Sequence, residues 1–353
     1  MVVQGTVGMN RPMEEAVVSK VSIINFKGGV GKTTLAFHLA TFLARRSRVL
    51  AVDVDHQSSL SLILLGKHWE QVSRDGHTCN RIFQSFVSPK KVRMPGREVI
   101  FSNPMHTRHP RYDQYPSLDL VPAQFELDDT EIDLASTTVG SPAVSEWEKR
   151  TLLATWLDEI DAASHYDYVI FDCPPATKLV SQNALAASDC FVTPVIPDEL
   201  SSRGVTHFRH LVEEKIDKKL EFLRKSAGIA DAETPRSYVS QTRMVGIAIF
   251  MAKTAGNAAS GLTDLHTMQI RRLRRQWGED MLDAVVKHLT GVPESVNTGW
   301  PVWDRYGDRN VSTQVVKMMS SLCEEIRDRI EGISHGTSAA SGTGTHSRTR
   351  SQS

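Results

Sequence analysis

Short apolar, β-branched runs alternate along this chain with longer stretches whose apolar residues recur at helical spacing. Val21–Asn25 is the first such run. A glycine-rich loop follows, and then Thr33–Arg45, in which Leu35, Leu39, Phe42 and Leu43 fall near a 3.6-residue period. The order is strand, loop, helix. Val49–Val54 (VLAVDV) is near-continuously apolar, as expected of a parallel strand covered on both faces. Val169–Phe171, Phe191–Ile196 and Val245–Met251 repeat that signature. Leu152–Ala163, Ser181–Ala187, Ser202–Leu223 and Asp264–Trp277 read as helices between them. Strands alternating with helices predict an α/β fold over residues 20–332: a doubly wound, mostly parallel sheet with helices on both faces.

Three stretches break the pattern. Residues 1–19 show no sustained periodicity and are expected to form a flexible N-terminal arm. Residues 333–353 hold almost nothing that can enter a core, which predicts a disordered tail. Residues 67–117, rich in Pro, His and Arg, are expected to form a hairpin or a long surface insertion. His106 and His109 lie in that stretch with no Cys pair beside them, and read as surface residues rather than metal ligands.

Composition changes this picture only in what it excludes. At 353 residues the chain is long enough for one large domain or two small ones. Lys+Arg and Asp+Glu are 41 each, so any attraction to nucleic acid must come from local clusters. Cys79, Cys173, Cys190 and Cys323 are scattered without a C-x-x-C pair, which fits free thiols in a reducing cytosol better than disulfides or zinc. The longest apolar runs are strand-length and Met1–Lys20 has no apolar signal segment, so a cytoplasmic protein with no membrane anchor is expected.

The glycine loop carries the chemistry. IINFKGGVGKTT (Ile23–Thr34) departs from the phosphate-binding pattern G-x-x-x-x-G-K-[ST], because Phe26 stands where its first glycine belongs and Lys27 follows. The rest still suits a phosphate. Gly28, Gly29 and Gly31 remove side chains that would block close approach of the backbone, and Lys32 opens a helix whose positive end faces the anion. Lys32 would reach the β- and γ-phosphates and the Thr33 hydroxyl would ligate Mg²⁺, with Val30 and Thr34 completing the nucleotide-binding loop. Carboxylates are also needed at neighbouring strand ends. Asp172 closes the apolar Tyr168–Phe171 run ahead of Cys173-Pro174-Pro175, placed to hold the metal through water. Asp53 and Asp55 end VLAVDVDHQSS at alternate positions, pointing to one face of the chain.

KGGVGKTT, VDVDHQSS and VIFDCPP, in this order and spacing, resemble the deviant Walker A ATPases of the ParA/MinD group. LVPAQFELDDTE (Leu120–Glu131), PVIPDELSSRGVTHF and GVPESV (Gly291–Val296) extend the likeness towards the ParA (Soj-like) branch, over most of Lys20–Val296. The resemblance implies ATP and Mg²⁺ as ligands and slow, partner-stimulated hydrolysis. It implies that Lys27 is a signature lysine crossing an ATP-dependent homodimer interface to the partner's nucleotide. Asp55 would orient the attacking water, Asp172 would hold the Walker B position, and Pro197–Gly204, Pro197 included, would lie along the nucleotide and the interface. Two departures stand out. Phe250-Met251-Ala252-Lys253 replaces a Thr-Met-x-Asp-like run that contacts the base, and Asn297-Thr298-Gly299-Trp300-Pro301 replaces the usual continuation after Val296. A helix-turn-helix extension is not expected in a twenty-residue arm.

The strongest basic run is MQIRRLRRQW (Met268–Trp277). On a helix, Arg271, Arg274 and Arg275 share one face while Ile270, Leu273 and Trp277 point elsewhere. With the resemblance, this stripe is the candidate surface for non-specific DNA binding; Lys90, Lys91, Arg93 and Arg97 are a weaker one. The C-terminal membrane helix, paired cysteines and terminal tyrosine cluster of other branches are not expected here. The expectation is an ATP-dependent dimerising ATPase, nucleoid-associated, acting in plasmid or chromosome partition with a ParB-like partner. Two alternatives stay open: positioning of another cargo, or a role in a mobile-element or defence locus, by the same ATPase; and an ATP-gated DNA-binding regulator.

Overall fold

A computed structural model describes residues 18–110, 114–175, 178–256, 261–304 and 311–341. Its strands are β1 (Ser19–Ile23), β2 (Val49–Asp53), β3 (Phe101–Ser102), β4 (Leu118–Val121), β5 (Tyr168–Asp172), β6 (Cys190–Val195), β7 (Arg243–Ala252) and β8 (Met281–Lys287). They form one sheet in the order β3-β4-β2-β5-β1-β6-β7-β8. Every pairing is parallel except β3 with β4 at one edge. The doubly wound, mostly parallel α/β fold expected from the pattern is the fold observed.

Period-two geometry explains the near-continuous apolar runs. Along β2, Leu50 and Val52 enter the core on one face of the sheet and Val49 and Ala51 enter the core on the other. Helix α1 (Lys32–Leu43) and the long helix Thr313–Ser341 cover the second face with Leu35, Leu39, Leu322 and Ile326. Helices Asn80–Val87, Leu152–Glu159 and Leu179–Ala186 cover the first, with Phe83, Trp156 and Leu185.

Residues 67–117 correct the expectation of a hairpin or surface insertion. Ile82, Phe83 and Val99 are fully buried against the same core as Val52, Val121 and Phe171, and β3 adds an antiparallel edge strand. The apolar residues Ile82, Phe83 and Phe86 sit at helical spacing inside an otherwise polar stretch, and burying that stripe outweighs the polar composition around it. The C-terminal boundary also moves, because the last helix runs through Gly332 to Ser341, into the segment expected to be a disordered tail. Leu322, Ile326 and Ile330 anchor that helix on the core, and an anchored helix extends at little further cost. Residues 1–17 of the expected arm and 342–353 of the expected tail lie outside the described residues. Among the described residues no helix is long and apolar enough to cross a membrane.

The sheet order places β1 between β5 and β6, with β2 on the far side of β5. The direction in which strands are added therefore reverses around β1, and the loops after β1, β5 and β2 meet in one crevice at the carboxyl ends of the strands. Open α/β sheets bind their ligands in such a crevice.

Candidate nucleotide site

The loop after β1 is set by its glycines. Gly29 (φ 70°) and Gly31 (φ 94°) occupy the left-handed region, where a side chain is strained. At Gly31 a Cβ would also lie 2.5 Å from Cδ1 of Phe250, so the loop is seated directly on the end of β7. Gly31 caps α1, whose first turn holds no acidic residue. Its orphan amides and positive dipole end are thus open to an anion. Val30 is buried beneath the loop, Gly28 and Gly29 are exposed, and Thr33 and Thr34 are half-buried. Lys32 is 7% exposed, and its Nζ donates to the Lys27 carbonyl at 3.3 Å, folded back across the loop it would share with a phosphate.

Asp53, Asp172 and Ile23 stand in register on the three adjoining strands. The two carboxylates differ in their surroundings. Asp53 is satisfied within the chain: Oδ2 accepts from Ser61 N (2.9 Å) and Oγ (2.7 Å), and Oδ1 accepts from Asp55 N (3.2 Å). Burial nevertheless pushes its pKa up to about 7, with Ser61 pulling down and Asp55 adding to the rise. Among the described residues Asp172 has no hydrogen-bond partner on either oxygen, although the Thr33 hydroxyl lies close by. Burial, the Asp53 carboxyl and more distantly Asp55 push its pKa well up, while the Thr33 hydroxyl and the Lys32 ammonium oppose the rise. A buried carboxylate left open beside a threonine hydroxyl fits Mg²⁺, a hard cation that takes oxygen ligands and keeps much of its water.

A carboxyl whose pKa rises on folding binds its proton more tightly in the folded chain. It stabilises the fold most at acid pH, and that stability is lost as pH climbs from the ordinary carboxylate range through the raised value. Asp172→Asn keeps the shape and cannot ionise. Without nucleotide or Mg²⁺, its thermal midpoint is expected to exceed that of the unsubstituted chain by more at pH 8 than at pH 5. Midpoints that shift equally at both pH values would contradict this account.

Asp55 lies just beyond the end of β2, 9% exposed, with Oδ1 accepting from Gln57 N at 3.0 Å. Asp53 and Asp55 thus divide: the first anchors the following helix Ser59–Leu65, and the second remains at the crevice. Lys27 is exposed, and its ammonium pairs with Asp198 of the same chain, next to buried Pro197. Its backbone N donates to Asn25 Oδ1 (3.2 Å), while Asn25 Nδ2 reaches the Pro194 carbonyl (2.7 Å), so β6 steadies the base of this lysine. Phe26, the residue in place of the expected glycine, stacks on His207 at 5.1 Å and meets Phe208 edge-on at 5.5 Å. That aromatic contact ties the loop to the helix Glu199–His210.

The departures after β7 and β8 also have a place. Phe250 and Met251 line a cavity of about 230 Å³ with Thr34, Leu289, Val292 and Pro293. Met251 carries a positive φ of 54°, strained for a side chain of its size. The slot beside Thr34 is largely apolar, where a Thr-Met-x-Asp-like run would present polar groups. Asp198, Phe250 and Met251 were not legible as site residues, although each lies in a segment singled out by resemblance or by departure from it. His109 packs its ring on Trp300 at 4.2 Å between centroids.

The basic stripe lies on the helix Asp264–Trp277. Ile270 and Leu273 are buried and Arg271 and Arg275 are exposed, as the helical period requires. Arg274 is instead paired with Asp283 of β8, donating to its Oδ1 and its carbonyl at 2.9 Å each. The pair is open to solvent, so holding it contributes little. The second candidate cluster is reduced as well, because Arg97 donates to the Tyr166 hydroxyl (3.2 Å).

The profile of the family described as AAA domain matches residues 18–225. The chromosome partitioning protein ParA of Caulobacter vibrioides is 25% identical over 283 residues, which are 80% of this chain and 85% of that protein. A putative replication protein A of Rhizobium rhizogenes is 31% identical over 191 residues; these are 53% of this chain and only 42% of that relative's length. Among solved structures, apo McdA from Cyanthece shares the fold at TM-score 0.62 and 17% identity, over 89% of this chain and all of that one. A putative plasmid partition protein of Borrelia burgdorferi, solved bound to AMPPNP, does so at TM-score 0.54 and 18% identity, over 91% and 100%. With the glycine loop, the strand-end carboxylates and the sheet order all in place, the chain belongs to the AAA domain family and is similar to P-loop proteins of the ParA/MinD type.

Proposed function

We propose that this chain is a Mg²⁺-dependent ATPase that dimerises on ATP, binds DNA non-specifically in that state, and acts in DNA partition with a ParB-like partner. The observation that carries the reading is Asp172, buried with both oxygens open beside Thr33 and Lys32 at the mouth of a glycine loop. Phosphoryl transfer asks a protein mainly for positioning and charge neutralisation. The amides of residues 28–34 and Lys32 would hold the phosphates, and Thr33 and, through water, Asp172 would hold Mg²⁺, which when bound neutralises phosphate charge. Asp55 would orient the attacking water. Lys27 would leave Asp198 for the partner's nucleotide; both side chains are partly exposed, so breaking that pair costs on the order of 1 kcal/mol or less.

The DNA surface proposed is the outer face of helix Asp264–Trp277, with Arg271 and Arg275 open and Arg274 recruited from Asp283. Such contacts address phosphates and carry no sequence information, so affinity falls steeply with salt. Replacing Arg271 and Arg275 by Glu is expected to weaken ATP-dependent DNA binding by at least tenfold at moderate salt and to flatten its salt dependence. Turnover without DNA should be unchanged. Fluorescence anisotropy on two unrelated duplexes across a salt series measures this, and unaltered binding by the double variant would remove the surface. A neighbouring gene for a ParB-like protein would favour partition over positioning of another cargo. An Asp55 variant that still functions in cells would favour an ATP-gated regulator.

A further inference from the structure

The loops that follow β2 and β5 are joined to each other by side chains. Lys178, just before the helix Leu179–Ala186, sends its ammonium to Asp128 and to Glu131 Oε2 (3.2 Å) on the helix Leu127–Ser136. The same Nζ lies 3.5 Å from His56 Nδ1. That imidazole nitrogen is in turn 3.5 Å from Asp55 Oδ1 and 3.9 Å from Asp128 Oδ1. Glu131 makes a second contact, accepting from Val180 N (3.2 Å) through Oε1. One ammonium and one imidazole thus link the residue after Asp55, the end of the segment after Asp172, and the acidic edge of a third element.

We propose that Lys178 is a positioning residue for hydrolysis: by clamping His56 to Asp128 and Glu131 it holds the loop after β2 against the loop after β5, and so fixes the Asp55 carboxylate where water is to be activated. This deepens the ATPase reading and rests on it. Geometry carries the argument, because the group that must point at water sits beside the residue Lys178 contacts, not on a rigid strand. Burial lowers the Lys178 pKa but the two acids outweigh it, and Lys178 with His56 holds that of Asp128 below the usual range, so the Lys178–Asp128 pair keeps its charges at neutral pH. Partial exposure of Lys178 and Asp128 makes the pair a weak contributor to stability. Its loss should therefore show in rate and not in folding. Misplacement of a reacting group by about 1 Å can cost a hundredfold in rate.

The test compares Lys178→Met, Lys178→Arg, Asp128→Asn and the Lys178→Met/Asp128→Asn double variant in full-length protein. Measurements are single-turnover hydrolysis of Mg²⁺-ATP, nucleotide affinity and thermal midpoint. Lys178→Met is expected to lose on the order of 10- to 100-fold in kcat, with ATP affinity within about twofold of the unsubstituted chain and the midpoint nearly unmoved. Lys178→Arg should recover most of the rate. The double variant should lose less than the product of the single losses, because both substitutions break one clamp. A Lys178→Met protein with undiminished turnover overturns the proposal and leaves the ATPase reading standing. Loss of ATP affinity in step with rate also overturns it, since Lys178 would then be a binding residue. An unsubstituted chain that hydrolyses no Mg²⁺-ATP, with or without DNA, removes the parent reading as well.

Discussion

Lys27→Ala is expected to bind ATP within about threefold of the unsubstituted chain while failing to dimerise with it, and turnover should fall on the order of 10³-fold, as when a cationic finger is removed. The structure separates the two effects. The Lys27 side chain projects from the loop and meets only Asp198 among the described residues, whereas the backbone of residue 27 is what Asn25 and Lys32 hold. Alanine keeps that backbone, so the phosphate loop is left intact while the outward charge is lost. Light scattering on a sizing column with Mg²⁺-ATP reads the oligomer, and a phosphate-release assay reads turnover. A Lys27→Ala protein that dimerises fully on ATP would refute a role in trans. One that fails to bind ATP would show that the lysine serves its own subunit.

The complementary result is expected of Asp55→Ala: nucleotide affinity and dimer formation persist, hydrolysis falls by roughly 10²- to 10⁴-fold, the range of a lost general base, and the dimer accumulates on DNA. Asp55 is positioned for this because it is not consumed by the fold. Asp53 accepts two hydrogen bonds from Ser61 of the next helix and one from Asp55 N, whereas the Asp55 carboxylate accepts the turn bond from Gln57 N and has the His56 imidazole nitrogen 3.5 Å away. Removing it should cost little stability and no phosphate contact. Rapid-quench measurement of bound ATP, with column analysis of the stalled species, distinguishes this from a folding defect. Full single-turnover activity in the variant would assign the water to another group.

Patterning revealed the central strands because those runs are buried on both sides. β1, β2, β5, β6 and β7 each begin within two residues of the apolar segments that foretold them. β3, β4 and β8 escaped notice for physical reasons. β3 has two residues, β4 carries the half-buried Asp119, and β8 exposes Asp283 on an edge strand, so none reads as a doubly covered run. In residues 67–117 the stripe Ile82, Phe83 and Phe86 was outnumbered by Pro, His and Arg, and composition there misled where spacing would not have.

By itself the sequence determined the phosphate loop, its helix, and the two strands that end in carboxylates. Each of these is written in contiguous residues, and local backbone geometry follows from local side chains. Only the tertiary structure decided which of those groups remain open. Asp53 is consumed by Ser61, Asp172 stays open among the described residues, Lys27 rests on Asp198, Arg274 is held by Asp283, and Lys178 gathers His56, Asp128 and Glu131. These outcomes depend on pairings across as many as 171 positions of chain, set by strand order and register, and no local pattern encodes them.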